Sequence, residues 1–305
     1  MSVTENSKTD LPSGLPHALG AYLIWGLLPV YLRLVHSVPA FEFVGWRLIF
    51  TLPVCLLIVA LRRQGREVLM ALGSPRTLGL LLTSALLIGG NWLLYVTAIQ
   101  TGHVFASSLG YYINPLMNVL AGTLFLGERL NRRQWIAVAI AAAGVSLLAW
   151  DAREMLGIAL ALAVSFSGYG LVRRLAPVAS LPGLTIETIL LLIPAIGIVI
   201  WQGQVHGGSS FGHSAETDLL LPLAGVITAV PLLLFATATK RMDYSTLGFI
   251  QYLAPTIVFL LGLFVFHEPL RQVQLACFVL IWTAAAIFVW DLLSRRRRAS
   301  DEAPA

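Results

Sequence analysis

The stretch YYINP at residues 111–115, followed by GERL at residues 127–130, decides how the rest of the chain is organised. A related pair, QYLAP at residues 251–255 and HEPL at residues 267–270, follows with the same spacing. Without a gap, residues 91–151 share 13 identities with residues 231–291, whereas so apolar a composition gives about five by chance. We therefore interpret the chain as two copies of one unit and expect the copies to meet in the folded protein. The separation in residue number between equivalent positions, such as 111 and 251, is called the repeat offset below.

The composition indicates that the solvent of this chain is lipid. Hydrophobic residues make up 57% of the 305 positions and charged residues only 11%, whereas soluble domains carry about 25% charged residues. The net charge of +5 comes from short loops and the C-terminus, which argues against a nucleic-acid partner. Cys55 and Cys277 lie in apolar runs without metal-ligand spacing, so we expect no metal and no cofactor.

Ten apolar stretches are long enough, or nearly so, to cross a hydrocarbon core, which takes about 20 helical residues. Lipid admits only helices or closed barrels, and these runs are too uniformly apolar for the alternating strands of a barrel. The sequence therefore predicts an all-α integral membrane protein. The predicted spans are residues 17–35, 41–61, 77–99, 104–126, 134–150, 155–174, 183–201, 218–239, 244–266 and 272–292.

Ten spans in two copies leave five in each, and an odd number means that the second copy enters the membrane upside down. With the N-terminus in the cytoplasm, 16 of the 20 basic residues fall on the inner side, which predicts that both termini are cytoplasmic. We divide the chain into a disordered tail (1–16), two inverted five-helix repeats (17–151 and 155–292) and a basic tail (293–305). Secondary transporters often have such inverted repeats and bind substrate between them.

Four segments carry a resemblance to a known family: WGLLP at 25–29, NWLLY at 91–95, SLGYYINP at 108–115 and LGFIQYLAP at 247–255. Together with the ten spans and the repeated Pro…Glu-x-Leu pattern, they are similar to the RarD group of EamA-type carriers in the drug/metabolite transporter superfamily. The resemblance covers about residues 17–293. It implies a permease of the bacterial cytoplasmic membrane that exports small metabolites, such as amino acids or related amphipathic compounds, by alternating access.

Tyr111, Asn114 and Asn118 follow the spacing of one helical face in span 4. Burying an amide in lipid is costly unless it finds a partner, so this face should point into the bundle. Two interpretations stay open: the amides join neighbouring helices, or they form the wall of a substrate cavity. Asn114 has Ala254 as its counterpart in the second copy, so any amide chemistry at this position belongs to one half only.

Prolines at matching positions point to the same region. Pro115 and Pro255 each remove a helix hydrogen bond four residues earlier, at Tyr111 and at Gln251, and interrupted helices mark transporter sites. Pro231, the counterpart of Asn91, predicts a third interruption. We predict helix breaks or gating points at Pro115, Pro231 and Pro255. The substrate-binding candidates beside them are Tyr111, Tyr112, Asn114, Gln251 and Tyr252.

Span 3 places Asn91 and Tyr95 near one face, and Trp92 beside them is either a pocket residue or a packing aromatic. Trp25, in the RarD-like segment of span 1, completes the predicted pocket. Arg47 lies within span 2, where a charge is costly and indicates function. It could bind an anionic substrate or clamp a helix end, and both interpretations stay open.

The acids of the chain lie near span ends. Glu128 and Glu268 each precede a helix, and we expect them to stabilise its N-terminus. Glu187 should pair with Arg173 or Arg174. Because we find no carboxylate near the middle of a span, we expect facilitated diffusion or exchange and not proton antiport.

The sequence offers no catalytic constellation, so we do not expect an enzyme. The alternative to a transporter is a membrane scaffold or accessory subunit, which would have a solid interior between the repeats. The expected partners are a small-molecule substrate and membrane lipid. The oligomeric state is open between monomer and homodimer.

Overall fold

The computed structural model describes residues 14–101, 104–151, 153–267 and 269–301, and the regular structure of these residues is helical throughout. A 3-10 turn, Arg153–Met155, precedes the seventh helix. The α-helices of the described residues are α1 (Leu15–Leu34), α2 (Ala40–Leu61), α3 (Gly65–Leu72), α4 (Pro75–Gln100), α5 (Val104–Phe125), α6 (Arg132–Asp151), α7 (Leu156–Leu175), α8 (Ser180–Val205), α9 (Ala215–Arg241), α10 (Tyr244–Gln251), α11 (Leu253–Phe264) and α12 (Gln272–Asp301).

The predicted spans coincide with these helices. Nine segments of the described chain are long and apolar enough to cross a membrane, with α10 and α11 together forming one of them. Helix α5, of 22 residues, lies where the remaining span is predicted. The protein is therefore an all-helical, multi-pass membrane protein.

Several helix ends differ from the predicted boundaries. Helix α1 begins at Leu15, inside the segment predicted as a disordered tail, and α12 continues to Asp301, beyond the predicted end at 292. Helices continue into polar surroundings because their backbone hydrogen bonds do not depend on lipid, whereas the hydropathy signal stops at the edge of the apolar core. The short helix α3 was not predicted. Residues 1–13 and 302–305 lie outside the described residues.

Helices in the two halves begin at equivalent places. Helices α2 and α8 start at Ala40 and Ser180, and α5 and α10 start at Val104 and Tyr244. Both pairs of start positions are separated by the repeat offset. The second copy of span 4 is divided into α10 and α11, with Tyr252 between them.

Equivalent helices run antiparallel where they meet. Phe41, at the start of α2, has its ring centroid 6.2 Å from that of Trp201, near the end of α8. Asn131, just before α6, donates from Nδ2 to Asp291 Oδ2 of α12 at 2.6 Å. Further along α6, a Cβ placed on Gly144 would lie 3.1 Å from the carbonyl oxygen of Cys277. This arrangement is what an inverted duplication predicts, while the exact boundaries of the two units stay a prediction.

Buried hydrophobic side chains form two main clusters that position the candidate site. One lies between α1, α2, α4 and α7–α10 and includes Tyr22 and Phe235. The other lies between α5, α6, α7, α10 and α12 and includes Tyr112 and Phe278. The candidate site borders the first cluster.

Candidate functional site

Four of the predicted site residues meet between α2, α4 and α5. The guanidinium carbon of Arg47 lies 4.4 Å from the centroid of the Trp92 ring. Tyr95 follows Trp92 by three residues, and its ring centroid is 5.9 Å from that of Tyr111. Residues three apart share a helical face, which is why α4 can present both aromatic rings to the same space.

We infer that these side chains border an internal space, called the open space below, because they are partly exposed although they contact one another. Tyr111 is 47% exposed, although its ring packs beside that of Tyr95. Arg47, Trp92 and Tyr95 are also partly exposed although they lie on the inward faces of their helices. We infer from this exposure of mutually contacting side chains that there is room for water or a solute between them.

Arg47 connects this group of four side chains, called the wall below, to the second half of the chain. Its Nε donates to Thr228 Oγ1 of α9 at 3.1 Å, and its guanidinium carbon lies 6.0 Å from the Phe43 ring centroid. Among the described residues, no carboxylate oxygen lies within the 4.0 Å of an ion pair with Arg47. The guanidinium is therefore held by a hydroxyl and aromatic rings and not by an acid.

Asn91 joins α4 to α7. Its Nδ2 donates to the carbonyl oxygen of Leu162 at 2.8 Å and to Ser165 Oγ at 2.9 Å. Both Asn91 and Ser165 are partly exposed. The amide thus links the two halves of the chain and is partly exposed.

Trp25 extends the site with a group of aromatic rings. Its ring centroid lies 5.6 Å from that of Phe166 and 5.6 Å from that of Phe235. The sequence reasoning missed Phe166, Phe235, Ser165 and Thr228. The repeat holds a signal for two of them, since Ser165 and Phe235 are the second-copy counterparts of Trp25 and Tyr95.

Three other predicted contacts lie behind this wall. Tyr112 and Tyr252 are 8% and 3% exposed and belong to the cluster between α5, α10 and α12. Asn114 is buried, and its Oδ1 has no hydrogen-bond partner among the described residues. Tyr112 differs from Tyr111 because one residue turns the side chain by about 100° around a helix. Tyr112 therefore packs in a core in this structure, and its predicted contact with the substrate stays a prediction.

Gln251 is part of a buried hydrogen-bond network. Its Oε1 accepts from Asn118 Nδ2 at 2.6 Å and from the Tyr22 hydroxyl at 3.4 Å. Only 5% of Gln251 is exposed. For Asn118 and Gln251, the contacts favour the interpretation that polar side chains join helices α1, α5 and α10.

The prolines do not all interrupt helices. Pro115 and Pro231 lie inside the continuous helices α5 and α9, so the predicted breaks at these two positions are wrong. Pro255 follows the interruption at Tyr252 by three residues. A proline removes one hydrogen bond, and neighbouring helices can support the remaining turns of a membrane helix.

Glu128 caps a helix, but not the next one along the chain. Its Oε1 accepts from the backbone N–H of Tyr244 at 2.6 Å and its Oε2 from that of Ser245 at 2.8 Å, at the start of α10. Arg174 Nη1 lies 3.6 Å from Oε1. Helix α6 is instead capped by Asn131, whose Oδ1 accepts from the backbone N–H of Gln134 at 2.9 Å. Glu268 lies outside the described residues.

Glu187 and Arg173 form the predicted ion pair, with Arg173 Nε 3.5 Å from Glu187 Oε1. Ser84 of α4 also donates to this carboxylate. Both charged side chains are buried. Glu187 lies further from the start of its helix than the sequence predicted, because α8 begins at Ser180 and not at residue 183.

Comparisons with known proteins agree with this architecture. Residues 12–150 match the model of the EamA-like transporter family. Protein RarD of Salmonella typhi is 42% identical over 286 residues, which cover 93% of this chain and 97% of that protein. The chain belongs to the RarD group of the EamA-like transporter family.

Further relatives of this RarD-type chain place it among membrane transporters. An uncharacterized transporter of Vibrio cholerae serotype O1 is 40% identical over 284 residues, or 93% of this chain and 94% of that protein. A solved crystal structure shares the fold with a TM-score of 0.71 and 22% identity, over 90% of this chain and 96% of the other. The RarD-type chain is therefore a membrane transporter with a fold already seen in a crystal.

Proposed function

We propose that this protein is a secondary transporter that exports small metabolites across the bacterial cytoplasmic membrane by alternating access. The observation that carries this proposal is the deep but exposed position of Tyr111, next to Tyr95 and near the Arg47–Trp92 pair. A scaffold has no need of an open seam with polar and aromatic side chains beside it. A transporter needs such a seam, because a polar solute gives up its hydration shell in the membrane and protein groups of similar polarity must replace it.

The two units that move against one another are residues 17–151 and 155–292, with both termini in the cytoplasm. Because equivalent helices are antiparallel, exchanging the conformations of the two units turns a cavity open to one side into one open to the other. The Glu128 cap lies on the side of the predicted cytoplasmic loops, where it links the α5–α6 connection to α10 and to α7. We propose that it holds this side closed.

The substrate contacts are Asn91, Trp92, Tyr95, Tyr111, Arg47 and Trp25, all of which are partly exposed. Aromatic rings supply shape and apolar area, whereas Asn91 and Arg47 supply hydrogen bonds. Tyr112, Asn114, Gln251 and Tyr252 support this wall from behind. The interruption between α10 and α11 beside Pro255 is the hinge candidate.

We further propose facilitated diffusion or exchange as the mode of transport. Glu42, Glu187 and Asp291 are the buried acids of the described spans, and hydrogen bonds or an ion pair hold each of them. A proton-coupled carrier needs an acid that binds and releases a proton during transport, and an acid held by fixed partners does not do this readily. Counterflow in liposomes with and without a pH gradient tests this proposal, and strong acceleration by the gradient would contradict it.

Transport itself is tested with purified protein in proteoliposomes and a pool of labelled metabolites. We expect uptake of part of the pool by the wild type and reduced uptake by Asn91→Ala. Gln64→Ala, which removes an amide near the short helix α3, is the matched control and should transport normally. Absence of any protein-dependent uptake, with the protein shown to be folded, would favour the scaffold alternative.

A further inference from the structure

We propose that Arg47 binds a carboxylate of the transported molecule, so that the substrates are small organic monoanions with an apolar or aromatic body. This inference rests on the proposed transport function and adds the charge of the substrate to it. Arginine stays protonated in proteins, so the guanidinium carries a fixed positive charge. Arg47 lies about 10 Å along α2 from its first residue, Ala40, which places this charge within the membrane-spanning region.

The contacts of Arg47 leave its two Nη groups available. Trp92 covers one face of the guanidinium, and Nε is used by Thr228. Neither Nη group has an acceptor in the described part of the chain, although the side chain is partly exposed to the open space. Two adjacent N–H donors on a rigid plane match the two oxygens of a carboxylate.

Glu42, the acid closest to Arg47 along α2, is already occupied. It accepts hydrogen bonds from Ser209 Oγ and from both the backbone N–H and the Oγ of Ser210, each at 2.7 Å. It also accepts from Trp46 Nε1 at 3.0 Å. With four donors on one carboxylate, Glu42 is not available to neutralise Arg47.

Glu187 is not available either, and the repeat makes its position informative. It is the second-copy counterpart of Arg47 by the repeat offset, and it is paired with Arg173 and Ser84. At equivalent positions, therefore, the second half holds a charge paired with an opposite charge, and the first half holds a charge without an opposite charge beside it. A buried charge normally has a partner, so the substrate is the candidate for the one that is missing.

The surroundings favour a carboxylate over a phosphate. Arg47 is the one charged side chain among the six proposed substrate contacts, so it can neutralise one negative charge. Phosphate groups carry nearly two charges and usually bind to clusters of bases or to helix N-termini. Tyr95 and Tyr111 lie close enough to Arg47 to interact with its charge, and their hydroxyls can donate to the same anion.

Binding can be tested without knowing the natural substrate. The probes are benzoate and indole-3-acetate, each compared with its neutral amide, and the readout is the thermal unfolding midpoint of the purified protein. We expect a carboxylate to raise the midpoint of the wild type more than its amide does. This difference should be lost in Arg47→Gln and kept in Arg33→Gln, a control that removes an arginine stacked on Phe266. Equal effects of acids and amides on the wild type would overturn the proposal.

Transport provides the second test and separates this inference from the proposed function. We expect the compounds taken up by wild-type proteoliposomes to be monoanions and Arg47→Gln to reduce their uptake about tenfold or more. Arg47→Lys keeps the charge but loses the planar fork, and it should retain intermediate activity. If only neutral or cationic compounds are taken up, the carboxylate site is refuted and the transporter stands. If nothing is taken up, the transport proposal fails, and the binding comparison still decides the role of Arg47.

Discussion

At the scale of single residues, neighbours in the sequence have different roles because a helix turns them apart. Tyr111 is 47% exposed beside the open space, whereas Tyr112 is 8% exposed and packs 5.4 Å, centroid to centroid, from the Phe278 ring. Likewise, Asn91 borders the space while Gln251 is enclosed. Substitutions at these positions should therefore separate effects on substrate binding from effects on stability.

Tyr111→Ala should raise the KM for transport while leaving the protein folded. Loss of an aromatic contact of about 0.5–1.5 kcal/mol corresponds to a rise in KM of roughly 2- to 10-fold. Tyr111→Phe keeps the ring, so that its KM should lie near the wild-type value unless the hydroxyl also binds the substrate. Initial rates in proteoliposomes measure both variants. An unchanged KM in Tyr111→Ala would remove this residue from the proposed site.

Gln251→Ala should reduce stability and leave the KM unchanged. The substitution leaves the buried Asn118 Nδ2 without its acceptor, and an unsatisfied buried donor costs about 1–3 kcal/mol. Thermal unfolding in detergent should show a lower midpoint than in the wild type, with Gln64→Ala as the control amide outside this network. A normal midpoint together with a raised KM would instead return Gln251 to the substrate wall.

At the scale of helices, the contact between α5 and α10 depends on a glycine. A Cβ on Gly248 would lie 2.7 Å from the carbonyl oxygen of Pro115 and 3.1 Å from the Cβ of Asn118. The two helices are therefore close enough for backbone contact, which is typical of packing between membrane helices. The hinge candidate at Tyr252 lies four residues beyond this contact, so changes here should affect both packing and movement.

Gly248→Ala should destabilise the protein by about 1–3 kcal/mol because the added methyl group forces α5 and α10 apart. Gly90→Ala is the matched control, since a Cβ at that helical position meets nothing within 4 Å. It should leave stability unchanged or raise it by about 0.5–1 kcal/mol. Thermal unfolding of both variants gives the comparison. Equal midpoints for the two would contradict close packing at Gly248.

Glu128→Gln should weaken closure of the predicted cytoplasmic side. The variant keeps one oxygen for the N–H groups of Tyr244 and Ser245, but it loses the charge that interacts with Arg174 and with the start of α10. The measurement is labelling of Ser165→Cys by an impermeant thiol reagent in inside-out vesicles, with the buried Cys55 and Cys277 replaced by alanine. We expect faster labelling than with Glu128 intact.

Two comparisons make the Glu128 experiment decisive. Glu67→Gln alters an acid of the short helix α3. The Glu67 carboxylate accepts a hydrogen bond from Gln64 and is not part of the Glu128 cap. Labelling of this variant should therefore stay at the wild-type rate. Labelling of Glu128→Gln that is no faster than this control would show that the cap stabilises α10 without governing access.

At the scale of the whole molecule, the arrangement of charges predicts its orientation. The basic loops 62–76, 129–133, 173–174 and 240–241 lie at one end of the helices, together with the C-terminal end of α12. A fluorescent protein fused to the C-terminus should fold and fluoresce, whereas a periplasmic phosphatase at the same place should be inactive, since both tails are expected in the cytoplasm. The opposite result would reverse the assignment of the two sides.

Much of this molecule could be predicted from local sequence. Lipid requires each spanning segment to satisfy its own backbone hydrogen bonds, so the apolar runs predict the helices directly. The internal repeat predicted that equivalent helices are antiparallel. The contact of Phe41, at the start of α2, with Trp201, near the end of α8, agrees with this prediction. Arg47, Asn91 and Tyr111 could be predicted as candidate site residues because polar groups are costly within a membrane.

The tertiary structure alone decided which side chains from distant segments contact one another. Glu128 caps α10 and not the following helix, since the helix that ends up beside it starts 116 residues away at Tyr244. Tyr112 and Tyr252 turn into a core, while the α8–α9 connection binds Glu42 and Arg173 of α7 binds Glu187, so neither acid pairs with Arg47. Such pairings depend on the packing of distant segments, which local hydropathy and spacing do not encode.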